Sequence, residues 1–260
     1  MRENPYSAPS SDVEIHAAPE GLALHDPRSV GAARGVGWIS DGFGHFRQAP
    51  GAWLGICVVG FVIMIVLTLI PFVGVLNNLL TYVWIGGLMI GCKAQDDGQP
   101  IELGHLFAGF RSKFGSLLLL GVTAMLVGFV VMLVALGPLY AELFSASLSG
   151  EPAALDRMAS ELTAGVLLRV LVALLFMIPL TMAIWFAPML IALNDLTLFE
   201  AIRLSFSGCL KNLAPFLLYS ILASVLAFVA ALPLALGYLV FMPTMFGAMY
   251  RAYKDIYIAT

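Results

Sequence analysis

Three aspartates close three apolar runs at matching places along the chain: Asp96, Asp195 and Asp255. Carboxylates gathered into a ring could bind cations. The structural alternative starts from the helix dipole, which disfavours a carboxylate at a helix C-terminus. Asp96 and Asp195 would then serve the helix that follows, and Thr197 with Glu200 has the spacing of a capping box. His45 and His105 occupy comparable places on two short segments. They are either solvated polar-face residues or a shared metal site, and the second needs carboxylates placed to help. Thr68, Thr123, Thr181, Ser220, Ser224 and Thr244 fall inside apolar runs, where hydroxyls bond their own backbone or a neighbouring helix. The chain has no glycine-rich phosphate loop, paired-histidine metal motif or nucleophile elbow. No ionisable residue falls near the centre of an apolar run, which counts against ion-coupled transport. Neither a reaction, a cofactor nor a metal is expected.

The elements that would position these residues are membrane helices. Of 260 residues, 60% are hydrophobic and 11% charged, where soluble domains carry about a quarter charged residues. Mean hydropathy is +0.95, and the length leaves room for about six spans of ~20 residues. A net charge of −3 implies no nucleic-acid partner. Cys57, Cys92 and Cys209 sit in or beside apolar runs and read as reduced thiols. No cleavable signal is visible ahead of the first run.

Residues 1–34 are rich in Pro, Ser and Ala without periodicity and read as a disordered cytoplasmic tail. Within it Asn4, Pro5 and Tyr6 form either part of a solvated tail or a short docking motif for a cytosolic partner. Residues 35–260 form the membrane domain. Trp38, Ile39, Phe43 and Phe46 fall at helical spacing and precede a first span from about Ala52 to Ile70. The second span runs from about Leu79 to Cys92, with Gly87 and Gly91 as a close-packing face. Leu103, Leu106, Phe107 and Phe110 mark another amphipathic helix, before a third span that stops at Gly137-Pro138. The fourth run, Ala164 to Leu193, should bend at Pro179 and Pro188. Leu198, Ile202, Phe206, Cys209 and Leu210 share a face of a third short helix, and spans five and six follow.

These parts align as three repeats. Each opens with an amphipathic helix ending in a basic residue, at Phe46-Arg47, Phe110-Arg111 and Leu210-Lys211. An outgoing span follows, then a return span carrying a small residue (Gly87, Ala187 or Gly247) and the acidic stop. The fold class is thus an all-α integral membrane protein with six transmembrane helices as three repeated hairpins, each preceded by a short cytoplasmic-side amphipathic helix. Eleven basic residues flank the amphipathic helices and termini, whereas the opposite side holds Arg157 with Arg169 at the membrane edge. That bias places both termini in the cytoplasm.

Trp185-Phe186-Ala187-Pro188, the stretch from Ser205-Phe206 to Phe216, Gly109-Phe110-Arg111 and Tyr250-Arg251-Ala252-Tyr253-Lys254-Asp255 resemble an uncharacterised family of bacterial six-helix inner-membrane proteins. That family is distantly similar to the membrane domain attached to some glycerophosphodiester phosphodiesterases. The resemblance implies the fold and an inner-membrane location, and it carries no catalytic residues. The expected function is a non-enzymatic scaffold, lipid-interacting or envelope-maintenance factor. The alternative is a facilitative transporter of an apolar or lipidic solute, with Pro179, Pro188 and Pro243 as hinges. Expected partners are membrane lipids, contacted through Phe46, Phe110, Phe206, Arg111 and Lys211, and other membrane proteins through helix faces. Apolar periodicity alone leaves open whether the amphipathic helices meet lipid or the bundle.

Overall fold

The computed structural model describes residues 24–70, 73–149 and 165–258. The described residues form ten α-helices: α1 (Arg34–Gln48), α2 (Pro50–Leu69), α3 (Val73–Asp96), α4 (Ala108–Ser112), α5 (Phe114–Ser149), α6 (Gly165–Trp185), α7 (Ala187–Asn194), α8 (Leu198–Lys211), α9 (Leu213–Ala231) and α10 (Tyr238–Tyr257). A 3-10 turn, Leu103–Phe107, leads into α4. The described residues hold no strand, and a lone bridge joins Leu24 to Ile258.

Four stretches are long and apolar enough to cross a membrane: Pro50–Leu69, Phe114–Gly137, Leu167–Asn194 and Leu213–Ala231. Their large side chains point outward, among them Phe61, Phe129, Leu175 and Phe228. Where the second and sixth spans are expected, helices α3 and α10 form, but neither is among those four apolar stretches. The reason is position. Both are interior helices whose surfaces are spent on the core, Val83, Leu88 and Met89 on α3 and Tyr250, Tyr253 and Tyr257 on α10.

Two helix ends differ from the sequence expectation. α5 runs through residue 138 to Ser149, 36 residues in all, about 54 Å at 1.5 Å per residue, instead of stopping at Gly137-Pro138. α3 begins at Val73, so Asn77 and Asn78 lie in its opening turns rather than in a loop.

Small residues set the closest crossings. A Cβ at Gly42 of α1 would overlap the backbone of Ala248 and Thr244 on α10, and one at Gly247 would meet Gly42 in return. A Cβ at Gly109 of α4 would strike Val83 O of α3, and one at Gly87 would meet His105 O and Gly109 N. The third short helix, α8, packs on the junction of α6 and α7 through Ser205. Backbone approaches this close exclude any side chain larger than hydrogen at the glycines.

Part of the segment whose composition reads as disordered tail is ordered. Residues 24–30 form a strap across the ends of α8 and α10, because their backbone groups find partners there. His25 N–H donates to Tyr257 O at 2.8 Å and Arg28 N–H to Ile256 O at 3.0 Å. The buried amide of Asn212 donates to Arg28 O at 2.9 Å and accepts from Val30 N–H at 2.8 Å. Such pairing offsets the ordering entropy that composition alone said the segment could not recover. Asn4, Pro5 and Tyr6 lie outside the described residues.

Candidate functional site

The polar side chains of the interior gather at one end of the bundle, where α1, α3, α7, α8 and α10 meet. Gln95, in the last turn of α3, is buried and fully used. Its Oε1 accepts from Trp53 Nε1 at 3.1 Å and faces His45 Nδ1 at 3.4 Å, and its Nε2 donates to His45 O at 3.0 Å. Because Gln95 Oε1 can only accept, Nδ1 is the ring nitrogen that carries hydrogen there. His45 is 1% exposed, and its Nε2 has no hydrogen-bond partner. Its edge meets the Tyr250 ring at 5.6 Å. Burial holds this imidazole below the ordinary histidine value, and the nearby Arg251 adds to the shift.

Charges link the same helices. Asp96 pairs with Arg251 at 3.1 Å and with Lys254. Burial alone would raise this carboxyl, but Lys254 and Arg251 outweigh it and the net shift is downward. Asp255 accepts from Arg34 Nε at 2.6 Å and from Trp38 Nε1 at 2.8 Å, so α1 and α10 are tied by charge as well as by Gly42. Lys113 pairs with Asp195, and Tyr253 donates to Asn194 Oδ1. Tyr257 OH donates to Leu204 O at 3.0 Å.

The aspartates are therefore neither a cation ring nor caps for following helices. Each sits against a basic side chain of another element, and Asp195 ends α7 in the left-handed region at φ 58°. The described residues contain no group of three metal-ligating side chains. His105 bonds locally, accepting from Glu102 N–H at 3.0 Å, so the two histidines have separate surroundings. The Thr197–Glu200 pairing is present: the Glu200 carboxylate accepts from Thr197 N–H at 3.1 Å and from its hydroxyl at 2.7 Å. What this end can do is fasten helices. It presents no activated nucleophile paired with a base.

The second polar feature is a helix break. The apolar run ending at Asn194 divides at Phe186, two residues before Pro188. Proline lacks an N–H and clashes with the preceding turn, so a break here is expected. The Ser205 hydroxyl of α8 enters the gap. It accepts from Phe186 N–H at 2.9 Å and donates to Met182 O at 2.7 Å. Those are the two groups a continuous helix would have joined by an i to i−4 bond. One hydroxyl thus bridges them and fixes α8 to the break.

Over 229 residues the chain is 28% identical to a protein of Burkholderia thailandensis named a probable inner membrane protein, an overlap of 80% of each chain. No family model and no solved structure matches it. These comparisons lend no support to a likeness with the membrane domain of glycerophosphodiester phosphodiesterases.

The residues singled out from sequence are dispersed over three helices. Phe46 is half-buried against the core and stacks on Phe43 at 6.0 Å. Phe110 is half-buried, with its ring 4.7 Å from Trp84 and 5.7 Å from Phe114. Phe206 is exposed, as is Arg111. Lys211 donates to Pro27 O at 2.9 Å and so belongs to the strap. Sequence reasoning gave Gln95 and Ser205 no structural role and counted Arg203 only among the basic residues that set the orientation. A serine on a short helix facing a proline-broken one was the available signal for Ser205.

Proposed function

We propose that this chain is a multi-pass bacterial inner-membrane protein that acts through contacts with lipids and other membrane proteins, as a scaffold or envelope-maintenance factor, and catalyses no reaction. Its six spans form three repeated hairpins, each preceded by an amphipathic helix in the cytoplasmic interface, and both termini are cytoplasmic. The observation that carries this reading is the inverted sorting of side chains on α8. The fully buried residues are the small Ala201, Ser205, Gly208 and Cys209, with Ile202 and Leu204 partly covered beside them, whereas Phe199 and Leu210 face outward with Phe206 at their edge. A helix docked only on protein in water would sort them the other way. The small-residue contacts of α1 with α10, α4 with α3 and α8 with the α6–α7 junction support the repeat: each short helix lies on a return helix of the preceding unit, and the first closes on the last. The B. thailandensis likeness and the four apolar helices support the inner-membrane location.

Extraction in native-lipid particles, with mass spectrometry of the retained lipids and proteins, tests the reading. Reproducible co-purification of particular lipids or membrane proteins is expected. The α6–α7 break favours the second reading, a facilitative path for an apolar solute, because broken helices in membranes commonly line transport sites. Proteoliposomes that pass a lipidic solute faster than empty ones would favour it over the scaffold.

A further inference from the structure

We propose that α8 is a binding site for the headgroup of an anionic phospholipid, centred on Arg203. This rests on the interfacial placement of α8 given above and adds the class of lipid it selects. Arg203 lies four residues after Phe199, three before Phe206 and seven before Leu210, so on a helix the guanidinium shares their face. All four side chains are exposed. Among the described residues Arg203 has neither an ion pair nor a hydrogen-bonding side-chain partner, and the carboxylate one turn earlier, Glu200, is turned to Thr197. The helix is held from behind by Ser205, Tyr257 and the strap, so this face is presented rigidly.

The surroundings indicate what covers it. The apolar surface continues from Leu210 into α9 through Leu213, Leu217 and Ile221, all more than half exposed. α9 is one of the four stretches able to cross a membrane. An exposed cation set into an apolar stripe that runs on into a span sits where acyl chains give way to phosphates. The arginine stem can lie along the apolar surface while its planar head meets two phosphate oxygens. A soluble acidic protein would complement the charge but would not match an apolar stripe continuous with a span. Arg47 and Arg111, also exposed and without an ion-pair partner among the described residues, end two further short helices and extend the same cationic fringe.

Hydrogen exchange of the full chain in nanodiscs tests this. Discs of phosphatidylcholine alone are compared with discs containing a third phosphatidylglycerol. Amides of Leu198–Lys211 should exchange about fivefold more slowly in the anionic discs, the factor expected of one basic side chain at an anionic surface. Arg203→Gln should abolish that difference, and Arg203→Lys should keep part of it. Lys93→Gln, which removes a charge already paired with Asp97, should leave it unchanged. Inorganic phosphate added to neutral discs should not reproduce the protection, and if it does the lipid assignment is overturned. Equal slow exchange in both discs would keep the interfacial helix and overturn the headgroup preference, leaving Arg203 to an acidic protein. Fast exchange in both would overturn the interfacial placement itself.

Discussion

Replacing Ser205 with alanine removes one oxygen and strands two backbone groups. Ser205 is fully buried, and its hydroxyl is the partner of both Phe186 N–H and Met182 O across the α6–α7 break. Each net hydrogen bond is worth about 1 kcal/mol, and each buried group left unsatisfied costs about 1–3 kcal/mol. Partial reclosure of the helix would recover some of this, but Pro188 opposes reclosure, so about 3 kcal/mol of destabilisation is expected. For a chain of this size that is roughly 6–12 °C in the thermal midpoint. The assay is thermal unfolding of the purified protein in detergent, alongside Ser224→Ala. Ser224 is exposed and its hydroxyl bonds only its own helix, to Ser220 O, so its loss should stay within about 0.5 kcal/mol. Hydrogen exchange at the Phe186 amide should rise in Ser205→Ala alone. A Ser205→Ala midpoint matching that of Ser224→Ala, with Phe186 still protected, would refute the bridge and show the helix bonding to itself.

Gly42 and Gly44 should respond in opposite directions although two residues apart. Gly42→Ala forces a methyl into the backbone of α10 and should cost at least ~2–3 kcal/mol, whereas Gly44 has open space around it and Gly44→Ala should gain about 0.5–1 kcal/mol of helix stability, both read from the unfolding midpoint. His45 should make stability fall on acidification. Its folded-state value lies below the ordinary 6.5, so above pH 6.5 neither state takes a proton, while below it the unfolded chain binds one that the folded chain resists. Stability should decline from about pH 6.5 downward, and His45→Gln should flatten that slope. A second decline should begin at about pH 4, where the unfolded chain's carboxyl takes up a proton, and continue down through the lower folded value of Asp96, where it loses its charge and its pairs. For orientation, a cysteine at Leu234, in the exposed turn between α9 and α10, should react with an impermeant thiol reagent on intact cells. One at Gln99 should stay protected until the membrane is opened, and the reverse pattern would overturn the cytoplasmic placement of the termini.

The helices and their order were legible because apolar periodicity, proline and glycine are local signals. The close packing at Gly87 followed from those signals; the expected bend at Pro188 is a full break at Phe186, while the helix runs on through Pro179. The polar end was not legible, since its pairs are distant in sequence. Asp96 and Lys254 are 158 residues apart, and Trp38 and Asp255 are 217 apart. Read locally, an aspartate after an apolar run is a helix stop. Only the close approach of α1 and α10 at Gly42 shows that Asp255 is an acceptor for Trp38 and Arg34. His45 failed for a related reason. Its neighbours Ser40, Asp41 and Arg47 are polar, so it read as solvated, yet the face it shares with Trp38 and Gly42 is the buried one. The strap escaped because an extended segment held by backbone bonds leaves no periodicity to find.

The short helices α1 and α8 show why one periodic pattern admits two kinds of packing. On α1 the large apolar residues Trp38 and Ile39 are inside with Gly42 and His45, while Phe43 is left half-exposed. On α8 the fully buried residues are small, Ile202 and Leu204 are partly covered, and Phe199 and Leu210 lie outside with Phe206 half-exposed. Both satisfy the same i, i+3, i+4, i+7 spacing, so spacing alone cannot separate them. Size does. A helix meeting another backbone closely must present small residues to it, and its large apolar side chains are then left outward. α8 meets that condition on both faces, with Ser205 seated in a neighbouring helix and Arg203 among the outward apolar residues. α1 meets it only at Gly35 and Gly42, where the glycines admit α9 and α10, and fills the rest of that face with tryptophan and isoleucine. The two helices therefore do different work: α1 is fastened into the core by Asp255 and Gln95, and α8 offers a surface outward.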